Sequence, residues 1–574
     1  MRRRTSLTAA VALGTTWVLS ACGIPAGKAP EVMGDAPSDF DQSSGTSAET
    51  FAPTTNAEET VQNFLKAAAG EADGRNDRLH SFTVDAEQQF SDLSAGLDLL
   101  AGVDVAIGAD SLESATVKVT GSVVGTYLPD GSVRMHSAPR AYDESFTLQR
   151  EGLQDIWKIA TLPTQVMLDY NQFSSDYGSA PLYFQAGMTE LLVPDIRWIY
   201  NDLDAETDRR QRLEWLVQGP SDFVAFSARN AIPEGTLWKT SNDDGTARID
   251  LTRGETVDSD TASAIAAQIA WSLGLSGEFV LAIDGEAVVS GALRTWRSWN
   301  AIPASLGNQE NGYFIADETV WEYTGSLQVT AVSEDHPWVG FSVEGLRQVA
   351  VGPSGKIAAI VDGGGRDVLQ VGSTTSMRAL DGGLGGDLSD PQWLGSRTVV
   401  VIDDGVPTTV DSSSGSAQTL AVGTDVTAMS IAADGRRLAF VEEGVAWVAP
   451  ISVDADGNIQ AGEPRRIGLD ISDVTDVAWS TENYLWVAGL RGDDKLFRVA
   501  IDNSRIEVQK GIGGVVIEQI AANPADPVES NLNWGEPVLV VSDSTLYRVF
   551  VNGPDAVDNE GQLVQASSPF TVLR

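Results

Sequence analysis

The sequence predicts a multidomain chain, α+β and α/β in its N-terminal half and all-β in its C-terminal half, and three observations predict it. A helical apolar spacing at Val61, Phe64, Leu65 and Ala68 gives way to runs of β-branched residues. Between about 181 and 293, strand-like and helix-like segments alternate. From about 313 onward a strand–turn–strand unit recurs at intervals of 42, 38, 48 and 42 residues, counted from Val351, Trp393, Ile431, Trp479 and Ala521. That period is the length of one four-stranded β-propeller blade, with a β-sandwich of regular hairpins as the alternative. At 574 residues the chain exceeds a single domain, and a prior of about 150 residues per domain gives three or four.

The N-terminus comes first. Arg2, Arg3 and Arg4 form a positive region ahead of a short apolar run, Leu7 to Leu19. A stable bilayer span needs about 20 apolar residues, so residues 1–21 read as a cleavable export signal. The junction Leu19-Ser20-Ala21-Cys22-Gly23 has an aliphatic residue and two small ones before a Cys, the pattern of a bacterial lipobox. Its thiol would accept a diacylglyceryl group, and cleavage would leave Cys22 as the new N-terminus. Cys22 is also the only Cys in the chain. Exported proteins ordinarily use Cys in disulfide pairs, so an odd one needs a reason, and lipidation supplies it. Two acyl chains hold a protein stably where one does not. The expected location is therefore the extracytoplasmic face of the cell membrane.

Residues 22–54 are rich in Pro, Gly, Ser, Thr and Asp, with Pro25, Pro30, Pro37 and Pro53 and no apolar periodicity. Such a tether of about 30 residues has a reach of roughly 30 Å. Residues 55–178 form the first domain. Thr55-x-x-Glu58 fits a capping box at its first helix. After a second helical stretch, Ala115 to Tyr127 reads as a strand, and Pro129-Asp130-Gly131 as a turn. Ser145 to Leu148 then pairs with Ile156 to Ala160 across Glu151-Gly152. A helix over a long curved hairpin sheet resembles the NTF2-like α+β type, whose members often enclose a pocket.

Residues 181–293 form the second domain. Its expected strands are Leu182 to Phe184, Arg197 to Tyr200, Ala247 to Leu251 and Phe279 to Ile283; its expected helices are Arg209 to Val217 and Thr261 to Leu273. Gly219-Pro220 stops the first helix. This order, with Leu216-Val217-Gln218-Gly219-Pro220, Ala231-Ile232-Pro233-Glu234-Gly235-Thr236, Ile249-Asp250-Leu251 and Ile283-Asp284-Gly285, resembles the GerMN domain. Those residues make turns and packing, so they speak for fold and not for chemistry. Residues 313–574 form the propeller. Val349 to Ile360 and Met429 to Phe440 are its clearest repeat pair. Five copies are visible, and segments near Val320 to Thr330 or at the C-terminus could complete the ring.

Composition narrows the function. A net charge of −42 argues against a nucleic-acid or anionic-lipid binder, because both require basic patches. His80, His136 and His336 are scattered, and none has a His, Cys or Glu partner at ligand spacing. No nucleophile elbow or phosphate loop is present. Asp362-Gly363-Gly364-Gly365 and Asp381-Gly382-Gly383 lack the alternating acids and closing Glu of a Ca²⁺ loop and read as blade loops. Trp296 and Trp299 could form a binding surface, although packing between domains is the expected role. No catalytic, metal or cofactor-binding residue is assigned, and Cys22 is the one candidate site.

Lipobox, tether, NTF2-like domain, GerMN domain and propeller, in that order, resemble the actinobacterial LpqB lipoprotein family along almost the whole chain. The missing catalytic set reads as a non-enzymatic protein without cofactors, and the resemblance implies an accessory role. It implies a partner too, the extracytoplasmic domain of the sensor histidine kinase MtrB, which signals to the response regulator MtrA in cell-envelope homeostasis and division. The alternative reading is an envelope ligand-binding or assembly lipoprotein that recognises a glycan or small molecule. A wall hydrolase is disfavoured by the scattered His and the missing nucleophile.

Overall fold

The computed structural model describes residues 51–572 except 73, 85–95, 153–154, 162–164, 244, 255, 305–310, 325–327, 381, 513–514, 529–537, 551–552 and 560–561. Cys22, the export signal and most of the tether lie outside the described residues.

The first helix, α1 (Ala57–Ala67), starts one residue later than the capping box predicts. Asn56, not Thr55, is the N-cap, and its carboxamide oxygen accepts from the Glu59 amide at 3.1 Å. Thr54 donates its hydroxyl to the Glu59 carboxylate at 2.9 Å and so takes part of the expected Thr55 role. The apolar stripe of α1 is buried, and Phe64 meets Phe82 and Phe146 edge-on at 5.9 and 6.0 Å. After a short α2 (Arg75–His80), the sheet begins with β1 (Leu97–Asp110), a strand that sequence reading did not place. β2 (Ser114–Tyr127), β3 (Val133–Gln149) and β4 (Lys158–Thr161) follow antiparallel, and β5 (Met167–Asp169) adds parallel to β1, giving the order β4-β3-β2-β1-β5. The layer of α1 over this curved sheet is the expected α+β form.

α3 (Tyr170–Asp176) leads into two small ribbons, β6 (Tyr177–Ser179) with β9 (Trp198–Tyr200), and β7 (Leu182–Gln185) with β8 (Leu192–Asp195). α4 (Ala205–Gln218) is capped by Asp204 and stops at Gly219, whose φ of 107° lies where residues with a Cβ are strained. The sheet is β10 (Leu237–Asp243), β11 (Thr246–Thr252), β12 (Phe279–Ile283) and β13 (Glu286–Gly291) in that order. β11 and β12 run parallel, as a strand–helix–strand crossover requires, and α5 (Ser259–Ser272) is the crossover. α5 is buried from Ala264 through Ser272. Trp296 and Trp299, 3% and 7% exposed, belong to the same core. The binding-surface alternative for these two Trp is therefore corrected: they are packing residues.

The C-terminal domain is a β-propeller of six blades. Five are continuous in sequence, and their innermost strands are Leu346–Val351, Leu388–Leu394, Val426–Ile431, Ser472–Trp479 and Gln519–Ala521. The sixth combines both ends of the domain. Ser567–Phe570 is its inner strand, and Gly312–Ala316, Thr319–Thr324 and Gln328–Thr330 are its outer ones. Each inner strand neighbours the next around a closed ring. The long 48-residue interval has a cause: the third strand of that blade, Val445–Val453, pairs with two separate outer pieces, Ile459–Ala461 and Arg465–Ile467. Asp362 turns a hairpin by accepting from Gly364 at 2.8 Å and Gly365 at 3.1 Å, which makes it a blade loop. Asp381 lies outside the described residues.

Candidate functional site

The three His stay apart in their neighbourhoods. His80 lies at the end of α2 and His136 on β3, whereas His336 is buried in the propeller 3.4 Å from Glu322. Among the described residues no cluster of three or more His, Cys, Asp or Glu could hold a metal. Two other regions concentrate polar chemistry: the junction where the domains meet and the central channel of the propeller.

The junction is built from turns of one propeller blade. Its first turn carries Glu482, whose carboxylate accepts from Tyr183 Oη at 2.7 Å and from Asn300 Nδ2 at 2.5 Å. Tyr183 sits on β7 of the second domain, and Asn300 in the segment joining that domain to the propeller. Burial pushes the Glu482 carboxyl above its ordinary pKa, while these two donors and Arg437 oppose the shift. Burial and the Glu482 charge push the Tyr183 phenol well up as well, so it stays a donor. The third turn of the same blade carries Asp502, which accepts from Trp198 Nε1 of β9 at 2.8 Å. Arg505 lies 4.3 Å over the Trp198 ring and donates to Ser174 O at 3.1 Å and to Tyr177 O. Tyr170 Oη reaches Ser504 O at 2.7 Å.

The first and second domains are joined to each other in the same way. Tyr127 Oη donates to Trp198 O at 2.9 Å and Trp215 Nε1 to Pro129 O at 2.8 Å. Gly131, at φ +81°, is backed by Trp215: a Cβ there would lie 2.6 Å from the indole ring. Arg297 completes the set by donating to Asp526 of the propeller at 2.8 Å. Each hydrogen bond named here joins two domains, or a domain and the segment between them. Separating the domains would therefore expose or strand these groups, at about 1–3 kcal/mol for each one left buried and unpaired.

The channel is a cavity of about 710 Å³ lined by all six inner strands. Side chains stitch the ring together. Gln348 Oε1 accepts from Asp390 N at 2.6 Å, and Asp390 Oδ2 from Met429 N at 3.0 Å. Trp479 Nε1 donates to Ser430 O at 3.0 Å, Asp476 Oδ2 accepts from Ile520 N at 2.7 Å, and Gln519 Oε1 from Ser568 N at 2.8 Å. Ser568 Oγ returns to Arg347 O at 3.1 Å. Among the described residues no Lys or Arg lines the channel. Enclosure by protein raises the Asp390 carboxyl to about 6, and Asp476 rises well above its ordinary value through burial and then the Asp390 charge. The pair thus titrates as a unit.

No sequence motif marks Glu482, Asp390 or Asp476 as functional. In the sequence, Glu482 is an acid in a polar turn, and Asp390 and Asp476 stand among many other carboxylates. Only the neighbouring domain or blade distinguishes them.

Models of three protein families match the chain: Lipoprotein LpqB, N-terminal domain, over 51–174; sporulation and spore germination over 181–289; and Lipoprotein LpqB beta-propeller domain over 325–528. A Lipoprotein LpqB of Rhodococcus opacus is 25% identical over 546 residues, covering 88% of this chain and 89% of that one. The Lipoprotein LpqB of Rhodococcus jostii is 25% identical over 88% of each chain. That of Mycobacterium tuberculosis is 25% identical over 92% of this chain and 93% of its own.

Proposed function

The chain belongs to the LpqB lipoprotein family, and on that premise we propose that it is a membrane-tethered accessory protein that binds and tunes an MtrB-type sensor histidine kinase from the extracytoplasmic side, without catalysing a reaction. A diacylglyceryl group on Cys22 holds it to the membrane, and the tether sets its height. One observation carries the reading: the buried contacts of Glu482 with Tyr183 and Asn300 fasten the second domain to the propeller. A loose string of domains presents independent surfaces. A fastened body presents one composite surface, which a partner can engage as a unit and which resists deformation when it does. The test is crosslinking in membranes followed by mass spectrometry, comparing native protein with Cys22→Ala. Kinase ectodomain peptides recovered with the native form and lost with the variant are the expected result. Absence of kinase peptides from both would remove this reading.

A second reading, recognition of an envelope glycan or small molecule, is favoured by the channel. Its volume of about 710 Å³ falls in the range of ligand pockets, and Trp338, Trp393 and Trp479 line it. Purified protein that gains thermal stability with muropeptides, but ignores the kinase ectodomain, would move the assignment there.

A further inference from the structure

Beside the junction lies a second cavity, of about 310 Å³, walled by all three domains. β3 contributes Arg134, the segment after α4 contributes Pro220 to Val224, and the propeller contributes Arg465, Arg466 and Ile501 to Asn503. Its acids are already committed. Asp195 accepts from Ser221 N at 2.7 Å and Ser221 Oγ at 2.8 Å and pairs with Arg197 at 3.0 Å. Asp502 accepts from Trp198 Nε1 at 2.8 Å and from Ser504 N and Oγ at 3.0 and 2.6 Å. Asp130 accepts from Ser132 N and Oγ at 3.0 and 2.6 Å and lies 3.4 Å from Arg197. Asp222 faces solvent and pairs with Arg134 at 3.6 Å.

The guanidiniums of the propeller wall are less fully committed, although the charges of Asp502 and Asp195 act on Arg465. Arg465 lies 4.4 Å over the Phe223 ring, and it donates to Ile501 O at a long 3.5 Å. Arg466 Nε is buried without a partner among the described residues. Neither forms an ion pair there within 4.0 Å. In a chain of net charge −42, two adjacent arginines that both line one cavity and have no carboxylate within 4.0 Å among the described residues are the exception. A planar guanidinium held in place by an aromatic face is preorganised to grip two oxygens of one anion.

We propose that this cavity binds a small ligand through a carboxylate or phosphate group, held by Arg465 and Arg466. Because its walls come from three domains, the occupant would bridge them. The proposal does not depend on the kinase reading.

The test uses the full chain in detergent and measures Tm and calorimetric binding at constant ionic strength. The probes are inorganic phosphate and dialanine, with chloride as the control. The expected result is saturable binding of at least one probe, weakened tenfold or more by R466Q and by R465K, which keeps the charge but removes the fork. R491Q, at an exposed pair with Asp470, leaves it unchanged. Binding of phosphate alone identifies a phosphate ligand, and binding of dialanine alone a carboxylate. Two results overturn the proposal: neither probe exceeding chloride, or R466Q binding as tightly as the native chain while its circular dichroism shows it folded.

Discussion

Tyr183 and Glu482 lie 299 residues apart in sequence, yet the Tyr183 hydroxyl donates to the Glu482 carboxylate at 2.7 Å inside the protein. Tyr183→Phe removes the donor and leaves the acid buried. The expected loss of stability is about 1–3 kcal/mol, measured by urea denaturation. Because the Glu482 pKa is raised in the folded state, the native protein holds a proton that the unfolded chain releases. Stability from this group is therefore full below the unfolded carboxylate pKa and declines as pH rises through the folded one. The pH dependence should steepen in Tyr183→Phe, which removes a bond that favours the ionised form.

The channel pair gives a second pH signature with the same sign. Asp390 is raised to about 6, so stability should fall as pH rises from about 4 towards and past 6. An upward shift of about two units corresponds to no more than about 3 kcal/mol. Asp390→Asn should flatten that slope by relieving Asp476 of a like charge. Tm measured from pH 4 to 8 on both proteins decides it, and parallel curves would contradict the assignment.

Ring closure rests on four residues at the end of the chain. Tyr313 pairs with Phe570 across the closing strands, and their rings stack at 5.3 Å. Truncation after Ala566 should open the propeller and abolish cooperative unfolding. Phe570→Ala, which leaves the strand in place, should cost about 1–3 kcal/mol through lost packing. Limited proteolysis and thermal melts separate the two outcomes.

The anchor is tested by fractionation. Cys22→Ala should lower the share of the protein in the membrane fraction, because the acceptor thiol for the acyl chains is then missing. Retention in the membrane would point to a different mode of attachment.

Local chemistry made much of this architecture legible in sequence. The α1 stripe at Val61, Phe64 and Leu65, the stop at Gly219-Pro220 and the turn at Asp284-Gly285 depend on residues a few positions apart, and the propeller period repeats such local units. The α1 cap falls one residue beyond the predicted Thr55: both residues are good caps, and the Asn56 side chain makes the capping bond. β1 carries no comparable local signal, because its outer half is exposed and lacks the buried alternation that marks a strand.

The sequence by itself determined the lone Cys22 beside a lipobox, the acidic balance, the order of three domains and the five contiguous blades. Only the tertiary structure decided that there are six blades, because the sixth pairs Gly312–Ala316 with Ser567–Phe570 and neither piece resembles a blade alone. The tertiary structure likewise selected Glu482 from the many surface-like acids and Arg465 and Arg466 from the scattered bases. The physical reason is common to both: burial and pairing are set by whichever distant segment packs against a residue, and neither charge nor spacing along the chain encodes that neighbour.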